Sequence, residues 1–157
     1  MREGDLAERL AALEARAAIA ALKARYAELC DSGYPPAALA ALFTEDGIWE
    51  GGLHRVHLVG RPAIHDYFAG VAGKIPFARH LVVNAIIDVA GDRATGRWDM
   101  LLPMAVTEGE TVRPRWQLST YRESYRCVAG RWLFAQLQAA PNYLDPASGT
   151  WRGYSQH

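Results

Sequence analysis

A histidine, His80, stands just ahead of the apolar run Leu81-Val82-Val83 in FARHLVVN. Imidazole changes charge near neutral pH, so a histidine that enters a pocket can act as a general base. Far earlier in the chain, CDSGYPP carries Asp31. Tyr26 precedes Asp31 by five positions, or ~140° around a continued helix. The two converge on one site if the helix ends before Asp31 and the chain turns inward. Taken alone, Asp31 is a turn residue with local hydrogen bonds, and Tyr26 packs in the core. Asp99, in WDMLLPM, shares a strand face with Arg97 and Leu101. Such a carboxylate is paired, solvated on an outer face, or kept protonated in an apolar pocket. By the same alternation His80 shares a face with Val82, Asn84 and Ile86.

The elements that must position these groups follow from periodicity. Residues 5–30 are rich in alanine and repeat apolar residues (Leu6, Leu10, Leu13, Ala17, Ala20, Leu22, Tyr26, Leu29) close to a 3.6 period, which predicts one long helix. Asp5 and Glu8 form a capping-box pattern at its start, and Gly33 follows its end. Pro35-Pro36 opens a short second helix, with Leu39, Leu42 and Phe43 as its apolar face. Glu45-Asp46-Gly47 reads as a turn, Ile48-Trp49-Glu50 as a short strand, and Gly60-Arg61-Pro62 as the start of a third helix. The period then changes to two. Strands are expected at about 77–89, 93–104, 113–128 and 131–143, with turns at Gly91-Asp92 and Ala129-Gly130. This order predicts an α+β fold with helices on one face of a curved antiparallel sheet. Residues 1–144 are expected to form one domain. Residues 145–157 form a Gly/Ser-rich tail that is either disordered or folded over a pocket or a partner subunit.

Composition excludes several classes. With 157 residues, half of them hydrophobic, the chain can close a core. Lys plus Arg and Asp plus Glu each number 17, so neither a nucleic-acid footprint nor a cationic membrane stripe is present, and no run of ~18 apolar residues offers a membrane span. MREGDLAERL is unlike a secretory signal, and a cytoplasmic protein is expected. Cys30 and Cys127 form no CxxC pair and read as reduced, buried thiols. His54-x-x-His57 lacks a third ligand at a recognisable spacing, so no metal site is predicted. Nucleotide-binding, zinc-protease and serine-hydrolase motifs are absent, and no cofactor is expected.

Five segments in order carry a family resemblance: RAAIAALKARYAELCDSGYPPAALAALFTEDGIWEGG, GRPAIHDYF, RHLVVN, GDRATGRWDM and YRESYRCVAGRW. Over residues 8–144 this pattern resembles the SnoaL-like branch of the nuclear transport factor 2-like superfamily. The resemblance implies a conical α+β barrel, in which a strongly curved sheet wraps a long N-terminal helix and leaves an apolar pocket open at one end. Similar enzymes are ketosteroid isomerase, scytalone dehydratase, bile-acid 7α-dehydratase, polyketide cyclases and hexachlorocyclohexane dehydrochlorinase. Other members bind ligands without chemistry. The resemblance implies that His80 and Asp31 form a catalytic pair, with Asn84 at the H-x-x-x-N spacing. It implies that Tyr26 donates to a substrate oxygen, that Trp49 is a pocket aromatic, and that Asp99 is a protonated donor. Arg122 and Arg126 are candidates for a site arginine by proximity, and Arg97 joins Asp99 in an epoxide-opening alternative. The isomerase's basic aspartate would fall at about Gly51, a departure from that mechanism.

The expected activity is a cofactor-independent lyase or isomerase of dehydratase type, acting on a small apolar or aromatic, steroid-like ring compound. The alternatives are a non-catalytic ligand-binding or dimerisation domain, and a cyclase- or epoxide-hydrolase-like enzyme. A homo-oligomer, dimer or trimer, is expected because a long open sheet leaves an outer face to cover.

Overall fold

The computed structural model of the chain describes residues 3–52 and 55–144. The alanine-rich segment forms helix α1 (Glu3–Asp31), one residue longer than expected at its C-terminus. The amides of Ser32 and Tyr34 close its end by donating to Glu28 O at 2.9 Å and Leu29 O at 3.1 Å. Its buried stripe is Ala15, Ile19, Lys23, Tyr26, Ala27, Leu29 and Cys30. Leu6, Leu10 and Leu13, expected on the apolar face, are instead more than half exposed. Alanine makes a weak periodic signal, so the true face was displaced, and it includes a lysine.

Helix α2 (Pro36–Ala40) begins on the proline-set φ and buries Leu39. Strand β1 (Phe43–Gly51) absorbs Glu45-Asp46-Gly47, which is therefore part of a strand and not a turn. The register with its neighbour slips between Phe43 and Ile48. Gly47 permits that irregularity, since a Cβ there would lie 2.8 Å from Phe43 Cβ. β2 (Val56–Val59) was not expected, and it pairs antiparallel with β1. Helix α3 (Arg61–Ala69) buries Ile64 and Phe68.

The expected strand from 77 to 89 is two pieces, β3 (Phe77–Ala78) and β4 (Leu81–Ala90), with Arg79 and His80 in the break. Long strands β5 (Arg93–Glu108), β6 (Thr111–Val128) and β7 (Arg131–Leu144) follow. Their turns carry Gly91 and Gly130 at φ of 61° and 76°, in the left-handed region that glycine tolerates. The sheet runs β2-β1-β7-β6-β5-β3, with β4 also on β5. Every pairing is antiparallel except β1 with β7, which is parallel. The sheet curls around α1 as an open cone.

Alternation along β5 sends Ala94, Trp98, Met100, Leu102, Met104 and Val106 inward, so these side chains are core. The same alternation along β6 sends Tyr121, Glu123 and Tyr125 inward. Phe43 and Phe134 meet at 5.2 Å between ring centroids beneath α1. Fully burying side chains of this kind stabilises the fold by about 1.5–3 kcal/mol each. Among the described residues no helix is long and apolar enough to cross a membrane. The predicted C-terminal tail and His54 lie outside the described residues.

Candidate functional site

The open end of the cone holds a small cleft. α1 supplies Tyr26 and Cys30, the loop after it Tyr34, β1 Trp49, and α3 Tyr67 and Phe68. His80 comes from the β3–β4 break, and Met100, Leu102 and Met104 from β5. Gln117 and Tyr121 of β6 complete a lining that is apolar with a few polar tips.

The strand break lets His80 turn inward. A residue in regular pairing would have its backbone held by the ladder. Here the His80 amide donates to Asp31 Oδ1 at 2.9 Å, and the ring Nδ1 lies 2.7 Å from the same oxygen. The carboxylate accepts both bonds, so Nδ1 carries a proton, and in the neutral ring the lone pair falls on Nε2. The side chains of His80 and Asp31 are 7% and 11% exposed, so the pair is shielded from bulk water. Arg79 Nη1 lies 3.7 Å from the other Asp31 oxygen, on the solvent side. Helix α1 runs through Asp31 and does not stop before it, so Tyr26 and Asp31 do not meet directly; His80 links Asp31 to the cleft that Tyr26 lines.

Trp49 lines the cleft as expected, and its Nε1 donates to the Tyr26 hydroxyl at 2.9 Å. Burial pushes the Tyr26 phenol well above its ordinary range and the Cys30 thiol up to about 12. Both therefore stay protonated.

Below this layer lies a group that periodicity alone did not single out. Lys23 Nζ meets Glu123 Oε1 at 2.5 Å, with side chains 1% and 0% exposed. The Tyr125 hydroxyl also donates to Glu123, and Trp98 Nε1 donates to that hydroxyl at 3.0 Å. The Lys23 ammonium sits 3.1 Å from the centroid of the Tyr121 ring, which lines the cleft. Burial lowers the Lys23 pKa, against the raising effect of Glu123. Two signals could have found the pair. Lys23 stands four residues after Ile19 and three before Tyr26, and Glu123 alternates with Tyr121 and Tyr125 in YRESY.

The remaining expected site residues are elsewhere. A register shift between Val83 and Ile86, with Asn84 at φ 56°, breaks the alternation that would have put Asn84 beside His80. Asn84 Nδ2 donates to Asp99 at 3.1 Å and Arg97 Nη2 donates to it at 3.0 Å, on the outer face. Asp99 is thus partly exposed and paired with Arg97 and Asn84, and it is not part of the cleft lining. Arg122 is exposed, next to Arg97 in the ladder. Arg126 bonds Thr44 at 3.0 Å and also binds Asp46, tying β6 to β1 far from the cleft. His57 Nδ1 is 2.6 Å from Glu50 at the surface.

A family model described as a SnoaL-like domain matches residues 11–138. No curated protein matches the chain. Among solved structures, a putative scytalone dehydratase from Novosphingobium aromaticivorans superposes with a TM-score of 0.74 at 23% identity, covering 84% of this chain and 87% of that one. A hexachlorocyclohexane dehydrochlorinase superposes with a TM-score of 0.77 at 24% identity, covering 88% and 92%. A protein of nuclear transport factor 2-like type from Novosphingobium aromaticivorans is 28% identical over 89% of this chain and 90% of that one, with a TM-score of 0.70. The family match spans the helix, the cleft and the sheet that encloses it, and the chain therefore belongs to the SnoaL-like domain family, on a nuclear transport factor 2-like cone.

Proposed function

We propose that the protein is a cofactor-independent lyase or isomerase of dehydratase type, in which Asp31 and His80 act as the general base. One observation carries this reading: the 2.7 Å contact between Asp31 Oδ1 and His80 Nδ1 at the wall of an apolar cleft. Asp31 holds His80 by two bonds, one to its backbone amide and one to its ring, fixes the proton on Nδ1 and stabilises the imidazolium formed when Nε2 takes a substrate proton. The aromatic lining suits a small, apolar, cyclic substrate. Elimination would then pass the C–H proton to Nε2, and the imidazolium would hand it to the hydroxyl departing from the neighbouring carbon, which leaves as water; isomerisation would return the proton to a different carbon. The dehydratase and dehydrochlorinase names of the structural neighbours support a reaction of this type.

The test is turnover of β-hydroxy ketones of one or two rings, followed by mass spectrometry for water loss and for deuterium uptake from heavy water. Asp31→Asn and His80→Ala should each lower the rate by about 10²–10⁴-fold. Retained turnover in both variants would sink the dyad. A second reading, a binding pocket without turnover, is favoured by the commitment of Tyr26 to Trp49 and by the outward placement of Asp99. Saturable binding of these ketones with neither water loss nor exchange would establish it.

A further inference from the structure

We propose that Tyr34, and not Tyr26, supplies the hydroxyl that holds a ligand's oxygen in the cleft, and that the ligand is an apolar ring compound bearing a hydroxyl or carbonyl. This deepens the Asp31–His80 reading and rests on it only for the identity of the neighbouring base.

The backbone is the first observation. Gly33 and Tyr34 follow the end of α1 with φ of 90° and 58°. Glycine adopts this left-handed region freely, whereas a large side chain does so at a cost. Tyr34 N closes the helix by donating to Leu29 O at 3.1 Å, and a glycine would do the same without strain. The helix end alone therefore does not account for a tyrosine there. What the strained backbone fixes is the direction of the ring.

The ring's surroundings are the second. Tyr34 stacks on Phe68 with centroids 6.1 Å apart and planes 10° apart. It meets the His80 ring edge-on, with centroids 6.4 Å apart and planes at 75°. The residue is 5% exposed and lines the cleft. Packing on two sides thus holds the ring beside the proposed base.

The hydroxyl is the third. Other tyrosines of the core already have their hydroxyls in hydrogen bonds, two as donors and Tyr26 as an acceptor. Tyr26 accepts from Trp49, Tyr121 donates to Met100 Sδ at 3.1 Å, and Tyr125 donates to Glu123. The Tyr34 hydroxyl makes no hydrogen bond with any described residue, and it is not among the fully buried unsatisfied atoms, so it keeps some accessible surface. Burial keeps the phenol protonated, hence a donor. Tyr67 also has an uncommitted hydroxyl, but it stands beside Gly52, where a Cβ would approach its oxygen, and its ring packs on Trp49 and not on His80.

The test compares 2-naphthol with naphthalene as probes, titrated by quenching of tryptophan fluorescence, to which Trp49 contributes from the cleft wall. Tyr34→Phe should weaken 2-naphthol binding about 3–10-fold, the equivalent of one hydrogen bond, and leave naphthalene within twofold. Tyr26→Phe and Tyr67→Phe should leave the preference for 2-naphthol intact. Tyr34→Asn keeps a residue that tolerates the left-handed backbone and removes the hydroxyl, so it serves if the phenylalanine variant does not fold. An unchanged 2-naphthol affinity in the Tyr34 variants overturns the proposal. So does an equal loss for both probes, a loss that follows Tyr26 or Tyr67, or a wild-type protein that fails to prefer 2-naphthol. None of these results bears on the Asp31→Asn and His80→Ala turnover comparison, so the donor and the base fail separately.

Discussion

Replacing Lys23 by methionine tests the buried layer beneath the cleft. The ammonium is 1% exposed and its partner carboxylate 0% exposed, at 2.5 Å. Lys23→Met removes the only cation that contacts Glu123 among the described residues and leaves the carboxylate with the Tyr125 hydroxyl alone. A buried charge stripped of its partner costs about 3–5 kcal/mol. At roughly 2–4 °C per kcal/mol for a chain of this size, the melting temperature should drop by roughly 6–20 °C. The double variant Lys23→Met, Glu123→Leu removes both charges and keeps the volume. It should recover most of the loss, because an apolar pair of similar size replaces a buried ion pair at little cost. What remains is the Tyr125 hydroxyl without its acceptor, worth about 1–3 kcal/mol. Urea unfolding of the wild type, both single variants and the double variant measures the coupling. A Lys23→Met loss below about 1 kcal/mol, or a double variant no more stable than the sum of its singles, would refute a desolvated ion pair at this position.

Two further outcomes follow from the same geometry. The folded-state Cys30 thiol is raised from 9.0 to about 12, so the stability it contributes is intact below pH 9 and lost as pH climbs toward 12. Between pH 9 and 10 that loss is about 1 kcal/mol, and Cys30→Ala should flatten this part of the urea-midpoint profile; a profile of unchanged slope would contradict the burial. Asp99→Ala breaks an ion pair whose side chains are 48% and 36% exposed, so it should shift stability by less than about 1 kcal/mol and leave 2-naphthol binding unchanged. A large loss of binding would return Asp99 to the cleft.

The class of fold was legible because two periods change once, from 3.6 in the alanine-rich half to two in the strands. Hairpin glycines such as Gly91 and Gly130 announced themselves, since few other residues take their φ. The break at Arg79 and His80 was not legible, because FARHLVVN has the composition of a continuous strand. The register shift at Asn84 was hidden for the same reason. Both are settled by pairing with β5, a partner that lies beyond the local window.

The sequence by itself determined the long helix and the late antiparallel strands, because these rest on local periodicity, and its family resemblance named Asp31 and His80 as a pair. Only the tertiary structure decided which polar groups share a site. It set Asp31 against His80 at 2.7 Å, turned Asp99, Arg97 and Asn84 outward, and buried Lys23 on Glu123. It also gave Tyr34 a left-handed backbone that lays its ring against His80. A side chain's partner depends on strand register, breaks and bulges, and one residue of slip exchanges the inside of the cone for its outside.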